Sequence, residues 1–129
     1  MQRRNITSGA PWENLVGYSR AVRVGPMVFV SGTTAATEKG IIGIGSPYEQ
    51  TMQALKTIEA ALVEAGAALS DVVRTRIYVT DIAHWEEVGR AHAEFFRGIR
   101  PACTMVEVSK LILAELLVEI EADAYLGRA

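Results

Sequence analysis

"SPYEQTMQALKTIEAALVEAGAALSDVVRTRIYVT", Ser46 to Thr80, sets a helix directly before a strand, and the change of period between them decides the fold class. Ser46 is a capping residue, Pro47 fits the first helical position, and Glu49 stands three residues after the cap to close a capping box. Met52, Leu55, Ile58, Leu62 and Ala65 then recur at steps of three and four, and Gly66 is placed to stop the helix. From Asp71 to Thr80 the period falls to two. Val73, Thr75, Ile77 and Val79 alternate with Arg74, Arg76 and Tyr78, as in a strand with one buried face.

Upstream, Ser19 to Val24 and Met27 to Thr33 read as two strands joined by a tight Gly25-Pro26 turn, because proline cannot continue a ladder. Gly40 to Gly45 reads as loop. Downstream, Asp81 caps a second helix in which Trp85, Val88, His92 and Phe95 share a stripe, ended by Gly98. Trp85, Phe95 and Phe96 read as core. His84 reads as a surface residue and His92 as half-buried; neither has a thiol or carboxylate at ligand spacing. Two more strands close the chain, giving the order β-β-α-β-α-β-β. The fold class expected is α+β: one mostly antiparallel or mixed sheet with two helices on one face.

The last strand carries an acidic row. Leu116, Val118, Ile120, Ala122 and Ala124 share the face expected under the helices, while Glu119, Glu121 and Asp123 share the other with Leu117 and Tyr125. If the strand from Asp71 is its neighbour, Arg74 and Arg76 meet these acids, each cross-strand pair contributing about 0.2–1 kcal/mol. The row then reads either as a solvated, ion-paired face or as the setting for one carboxylate at work in a cleft.

A chain of 129 residues is most simply one domain, 1–129, and needs neither disulfide nor metal to fold. A net charge of −2, with Arg and Lys dispersed, argues against a nucleic-acid protein. The single cysteine, Cys103, provides no internal disulfide and no metal-ligand pair, so no metal is expected. There is no leader pattern and no membrane-length apolar run, which sets a cytoplasmic expectation with no membrane partner.

Taken in order and spacing, "GYSRAVRVGPMVFVSGTT", "SPYEQTMQALKTIEAALVEAGAALSDVVRTRIYVTDI", "RPACTMVEVSKL" and "LVEIEADA" resemble the reactive-intermediate deaminase family, the RidA/YjgF-like proteins that also carry an endoribonuclease L-PSP label. The resemblance covers nearly the whole chain. It implies a chorismate-mutase-like fold and a homotrimer with clefts between subunits. It also implies hydrolysis of enamine and imine intermediates to ammonia and a keto acid, with no cofactor. Tyr18 stands at the family's cleft tyrosine, and Ser31 and Gly32 at the loop lining the cleft. Glu119 stands where a glutamate positions the attacking water, and Met105 where a backbone N–H meets the substrate carboxylate.

The match departs at "PACT". The family pattern has arginine where this chain has Cys103, and Gly89 stands where some active members carry asparagine. The missing arginine would make two charge-assisted bonds of about 1.5–3 kcal/mol each. Their loss weakens carboxylate binding by about two to four powers of ten. A thiol is a weak donor and replaces neither. Arg100 and Lys110 lie at odd spacings from Cys103, so in an extended strand they point to the opposite face. A basic group from a neighbouring subunit is the remaining replacement, with Arg20, Arg23, Arg74 and Arg76 the candidates. Cys103 itself reads as a small buried hydrophobe, with a reactive cleft thiol as the alternative.

These observations lead to an enamine/imine deaminase with altered substrate specificity, for which the usual 2-imino acids are poor candidates and a substrate lacking an α-carboxylate is a candidate. The alternative is a non-catalytic trimer of the same family that binds a small molecule. An endoribonuclease is the reading with least support. Glu119 is the catalytic residue expected, with Tyr18, Ser31, Gly32, Cys103 and Met105 binding substrate.

Overall fold

The computed structural model describes residues 2–127. Helix α2 (Pro47–Glu64) starts where Ser46 Oγ accepts the Glu49 N–H at 3.1 Å. The reciprocal half of the expected capping box is replaced, because the Ser46 N–H donates to the Gly43 carbonyl. At the other end Gly66, at φ 85°, lets its own N–H reach Val63 O and lets the Ala67 N–H reach Leu62 O. This pair of bonds is a Schellman stop. Leu55, Ile58, Leu62 and Ala65 are buried along the predicted stripe.

Six strands form the main sheet: β1 (Arg3–Ile6), β2 (Ala21–Val24), β3 (Met27–Thr33), β6 (Val72–Val79), β7 (Ala102–Glu107) and β8 (Val118–Tyr125). Their spatial order is β1-β2-β3-β8-β6-β7, antiparallel throughout except for the parallel β6–β7 pair. Since β8 is antiparallel to both neighbours, β3 and β6 run parallel, and α2 is the crossover between them. Helix α3 (Trp85–Phe96) is the crossover from β6 to β7. Two crossovers of the same hand, stepping in the same direction across the sheet, leave both helices on one face.

Four elements were not legible from alternation: β1, the short helix α1 (Pro11–Val16), and the hairpin β4 (Ala36–Thr37) with β5 (Gly40–Ile41) inside the expected loop. The two helices of the expected order are therefore joined by a third. Face assignments hold on β8, where Val118, Ile120, Ala122 and Ala124 are buried and Glu119, Glu121 and Asp123 are half-exposed opposite. Arg76 bridges Asp123 at 3.1 Å and Glu121 at 3.7 Å, so the expected cross-strand ion pairing is present for Arg76, while Arg74 makes no ion pair among the described residues.

Two apolar positions lie elsewhere than expected. Val73 is 48% exposed, because Val72 pairs with Ala124 and Arg74 with Asp123, leaving Val73 as the extra residue of a bulge. Val72 takes the buried place instead. Trp85 is exposed rather than core: Asp81 caps a tight 3-10 turn over Ile82–His84, and α3 begins only at Trp85. Phe96 is buried and Phe95 packs at the core margin. His84 and His92 are both partly exposed.

Between β7 and β8 the chain makes a long excursion, 108–117. The buried Gln50 side chain holds its end, donating to Glu115 O and accepting the Leu117 N–H, both at 2.9 Å. No helix among the described residues is long and apolar enough to cross a membrane.

Candidate active site around Glu119 and Gly32

The site begins with a second bulge. Val30 pairs with Ala122 but Thr33 with Ile120, so Ser31 and Gly32 together face one residue of β8. Glu119, on the open face of β8, lies against this bulge. A Cβ at Gly32 would stand 2.3 Å from Glu119 Oε2, so only glycine lets the carboxylate rest over this backbone.

The bulge is pinned from both sides. Ser31 Oγ donates to Ser19 O at 2.6 Å, the Ser31 N–H donates to Arg20 O, and Thr33 Oγ1 donates to Ser31 O. Arg20 Nη2 donates to the Gly32 carbonyl at 2.9 Å, and the Arg20 guanidinium lies 5.6 Å from the Tyr18 ring centre. Tyr18 is set by α1, which ends at Gly17 in the left-handed conformation with φ 90°. The Tyr18 N–H then donates to Glu13 O.

Burial of Glu119 raises its pKa, the neighbouring Glu121 raises it further, and Arg20 partly offsets both. Glu13 behaves oppositely. Its burial would raise the pKa, but bonds from the Ser8 and Thr7 hydroxyls and the Ser8 N–H, with the charge of Arg20, hold it below the usual carboxylate range. Tyr18, Ser31, Glu13, Asn5 and Asn14 line an open cavity of about 480 Å³ beside α1. Glu119 and Gly32 are not part of its lining.

Within one chain, then, Tyr18, Ser31, Gly32 and Glu119 converge, linked through Arg20. Cys103 and Met105 do not join them. They lie on β7, two strand spacings or about 10 Å from β8. Their register partners Thr75 and Ile77 are buried on the helix side, whereas the partner of Glu119, Tyr78, is on the open face. Cys103 is exposed, not buried: β7 is the edge strand, and nothing among the described residues covers its thiol.

The parity argument for Arg100 also changes. β7 starts at Ala102, and Arg100 stands before it at φ 57°, so strand alternation does not govern its direction. It borders a cavity of about 270 Å³ with His92 and Arg97. Lys110 lies past the end of β7. Arg20, a candidate for the cation that a neighbouring subunit would bring to Cys103, stands within its own chain near Glu119, whose raised pKa it lowers in part. The two-residue step from Tyr18 to Arg20, which sets both on one side of an extended segment, was the available signal. Glu13, in a short helix without alternation, gave none.

The family model described as Endoribonuclease L-PSP matches residues 8–126. The chain belongs to this family. A solved structure of a Mycobacterium tuberculosis member of the YjgF/YER057c/UK114 family is 56% identical, covering 96% of this chain and 99% of that one, with a TM-score of 0.88. A Yersinia pestis protein of the conserved Rid family is 31% identical over 96% of this chain and 99% of its own, with a TM-score of 0.83. A Pyrococcus abyssi RutC family protein is 39% identical over 84% of this chain and 85% of its length. The L-PSP/YjgF family and its chorismate-mutase-like α+β fold are thus those expected from the sequence.

Proposed function

We propose that this L-PSP family protein is an imine/enamine deaminase with altered substrate specificity, working in clefts between the subunits of a homotrimer. Glu119 is its acid–base residue. The observation that carries the reading is a half-buried carboxylate, raised in pKa, seated on a glycine that leaves room for nothing else. Hydrolysis of an imine needs a water deprotonated as it attacks carbon and a proton delivered to the departing nitrogen. A carboxyl group poised nearer neutrality serves both steps in turn: it takes a proton from water and returns it to nitrogen. The balance is one imine and one water giving one carbonyl compound and one ammonia. An enamine first takes a proton at carbon to become the imine. No cofactor enters this chemistry.

Tyr18, Ser31 and Gly32 form the wall next to Glu119. Cys103 and the Met105 backbone N–H join it from a neighbouring subunit, since β7 is an edge strand with its outer side open. The exposed thiol, in place of a guanidinium, also supports the second reading, a trimer that binds a small molecule without turning it over. RNA as a partner has the least support, given a net charge of −2 and no basic run. Ammonia release from freshly generated imines separates the first two readings. Wild-type protein should exceed Glu119→Gln by about 10²-fold or more, the usual scale of general acid–base catalysis; equal rates would remove the hydrolase.

A further inference from the structure

We infer that the cavity between the end of α3 and the start of β7 is a second ligand site, which takes a phosphate dianion, free or as the monoester of a small molecule. Two guanidiniums and one imidazole supply its donors. The site is separate from the proposed cleft and does not depend on it. His92, Ala93, Phe96, Arg97, Arg100 and Pro101 line the cavity, with no residue of the Glu119 site and no carboxylate among them.

The cations here are uncommitted. Arg4 and Arg23 donate to Glu64 O and Ala65 O at the end of α2, Arg20 donates to Gly32 O, and Arg3 to Asn5. Arg76 is ion-paired, and Arg90 lies over the Tyr48 ring. Among the described residues, only the guanidiniums of Arg74, Arg97 and Arg100 have no such partner. Two of these three border one cavity of about 270 Å³. Both stand at the end of a helix, yet neither caps its carbonyls as Arg4 and Arg23 do for α2. Arg100 also holds its place against backbone preference. It is the one non-glycine residue among those described with a positive φ, 57°, and it precedes Pro101, which favours an extended conformation. Glycine would make this turn without strain, so the turn itself does not call for arginine.

The floor completes the donor set. His92 Nε2 lies 2.9 Å from the hydroxyl of the buried Thr75, and its ring packs on Phe96 with centroids 4.6 Å apart. With that hydroxyl donating, the imidazole proton rests on Nδ1, which has no partner among the described residues and can serve a ligand oxygen. Burial lowers the His92 pKa, so the ring is neutral at pH 7 and the positive charge comes from the two arginines. A phosphate dianion matches both guanidiniums and accepts from their paired donors, whereas a monocarboxylate matches one. Ala93, Phe96 and Pro101 form an apolar wall for the carbon part of an ester.

Isothermal titration calorimetry with phenyl phosphate, inorganic phosphate and benzoate tests the site. Wild type should bind phenyl phosphate about tenfold or more tightly than benzoate, the scale of one added charge-assisted hydrogen bond. Arg100→Gly should lose about tenfold or more in phenyl phosphate affinity while staying folded, since glycine suits the left-handed turn; circular dichroism melts would show this. Arg97→Gln should lose as much, and Glu119→Gln should bind as wild type does. Tighter binding of phenyl phosphate than of inorganic phosphate assigns an ester as the ligand; equal or weaker binding assigns free phosphate. Absence of saturable binding of either phosphate, equal binding of benzoate, wild-type affinity in either arginine variant, or lost binding in Glu119→Gln overturns the inference.

Discussion

Glu119 and Glu13 are both carboxylates near Arg20, yet their pKa values move in opposite directions. The difference is hydrogen bonding. Glu13 accepts from two hydroxyls and a backbone N–H, which favour the charged form, whereas Glu119 meets mainly desolvation and another acid. A pKa raised in the folded state means that the native protein binds a proton more tightly than the unfolded chain. Glu119 therefore costs stability above its folded pKa, and the cost disappears as pH falls below the ordinary value of 4.5. Glu119→Gln is expected to match or exceed wild-type stability at neutral pH, with any advantage vanishing in acid. Urea titrations of both proteins across that range check the sign; a variant clearly less stable at neutral pH would contradict it.

At the scale of elements, the two bulges explain most of what alternation alone left hidden. The period of two in "DVVRTRIYV" identified β6, but a bulge changes which valine faces inward without changing the residues, and side-chain period carries no mark of it. The consequence is measurable. Val72→Ala should cost about 2 kcal/mol through lost burial and cavity formation, whereas Val73→Ala should stay within about 0.5 kcal/mol. Equal losses in urea denaturation would mean the register is otherwise. Helix α2 was legible because cap, stripe and stop agree. α1 was not, since six residues around Trp12 and Leu15 show no repeat. Of the site, resemblance pointed to Tyr18, Ser31, Gly32 and Glu119. That Gly32 and Glu119 touch depends on the extra residue in β3, which only the strand pairing reveals.

Across the whole molecule, the sheet face turned away from the helices remains apolar in part. Phe29, Tyr125 and Val106 lie on it, each more than two-fifths exposed, alongside the acids of β8. A face of this kind fits self-association, with the trimer as the proposed form. Sedimentation velocity should find wild type larger than a single 14.0 kDa chain, and Phe29→Asp should shift it toward one. A wild-type monomer at micromolar concentration would leave the cleft without its second wall.

Gln50 gives the fold one further property. Its amide clamps the chain at Glu115 and Leu117, just ahead of the strand that bears Glu119. The acid's position is thus decoupled from whatever precedes the clamp. Substitutions at Ile112 and Leu113, exposed on the excursion, are therefore expected to leave the strand behind them in step, which urea denaturation of such variants would check.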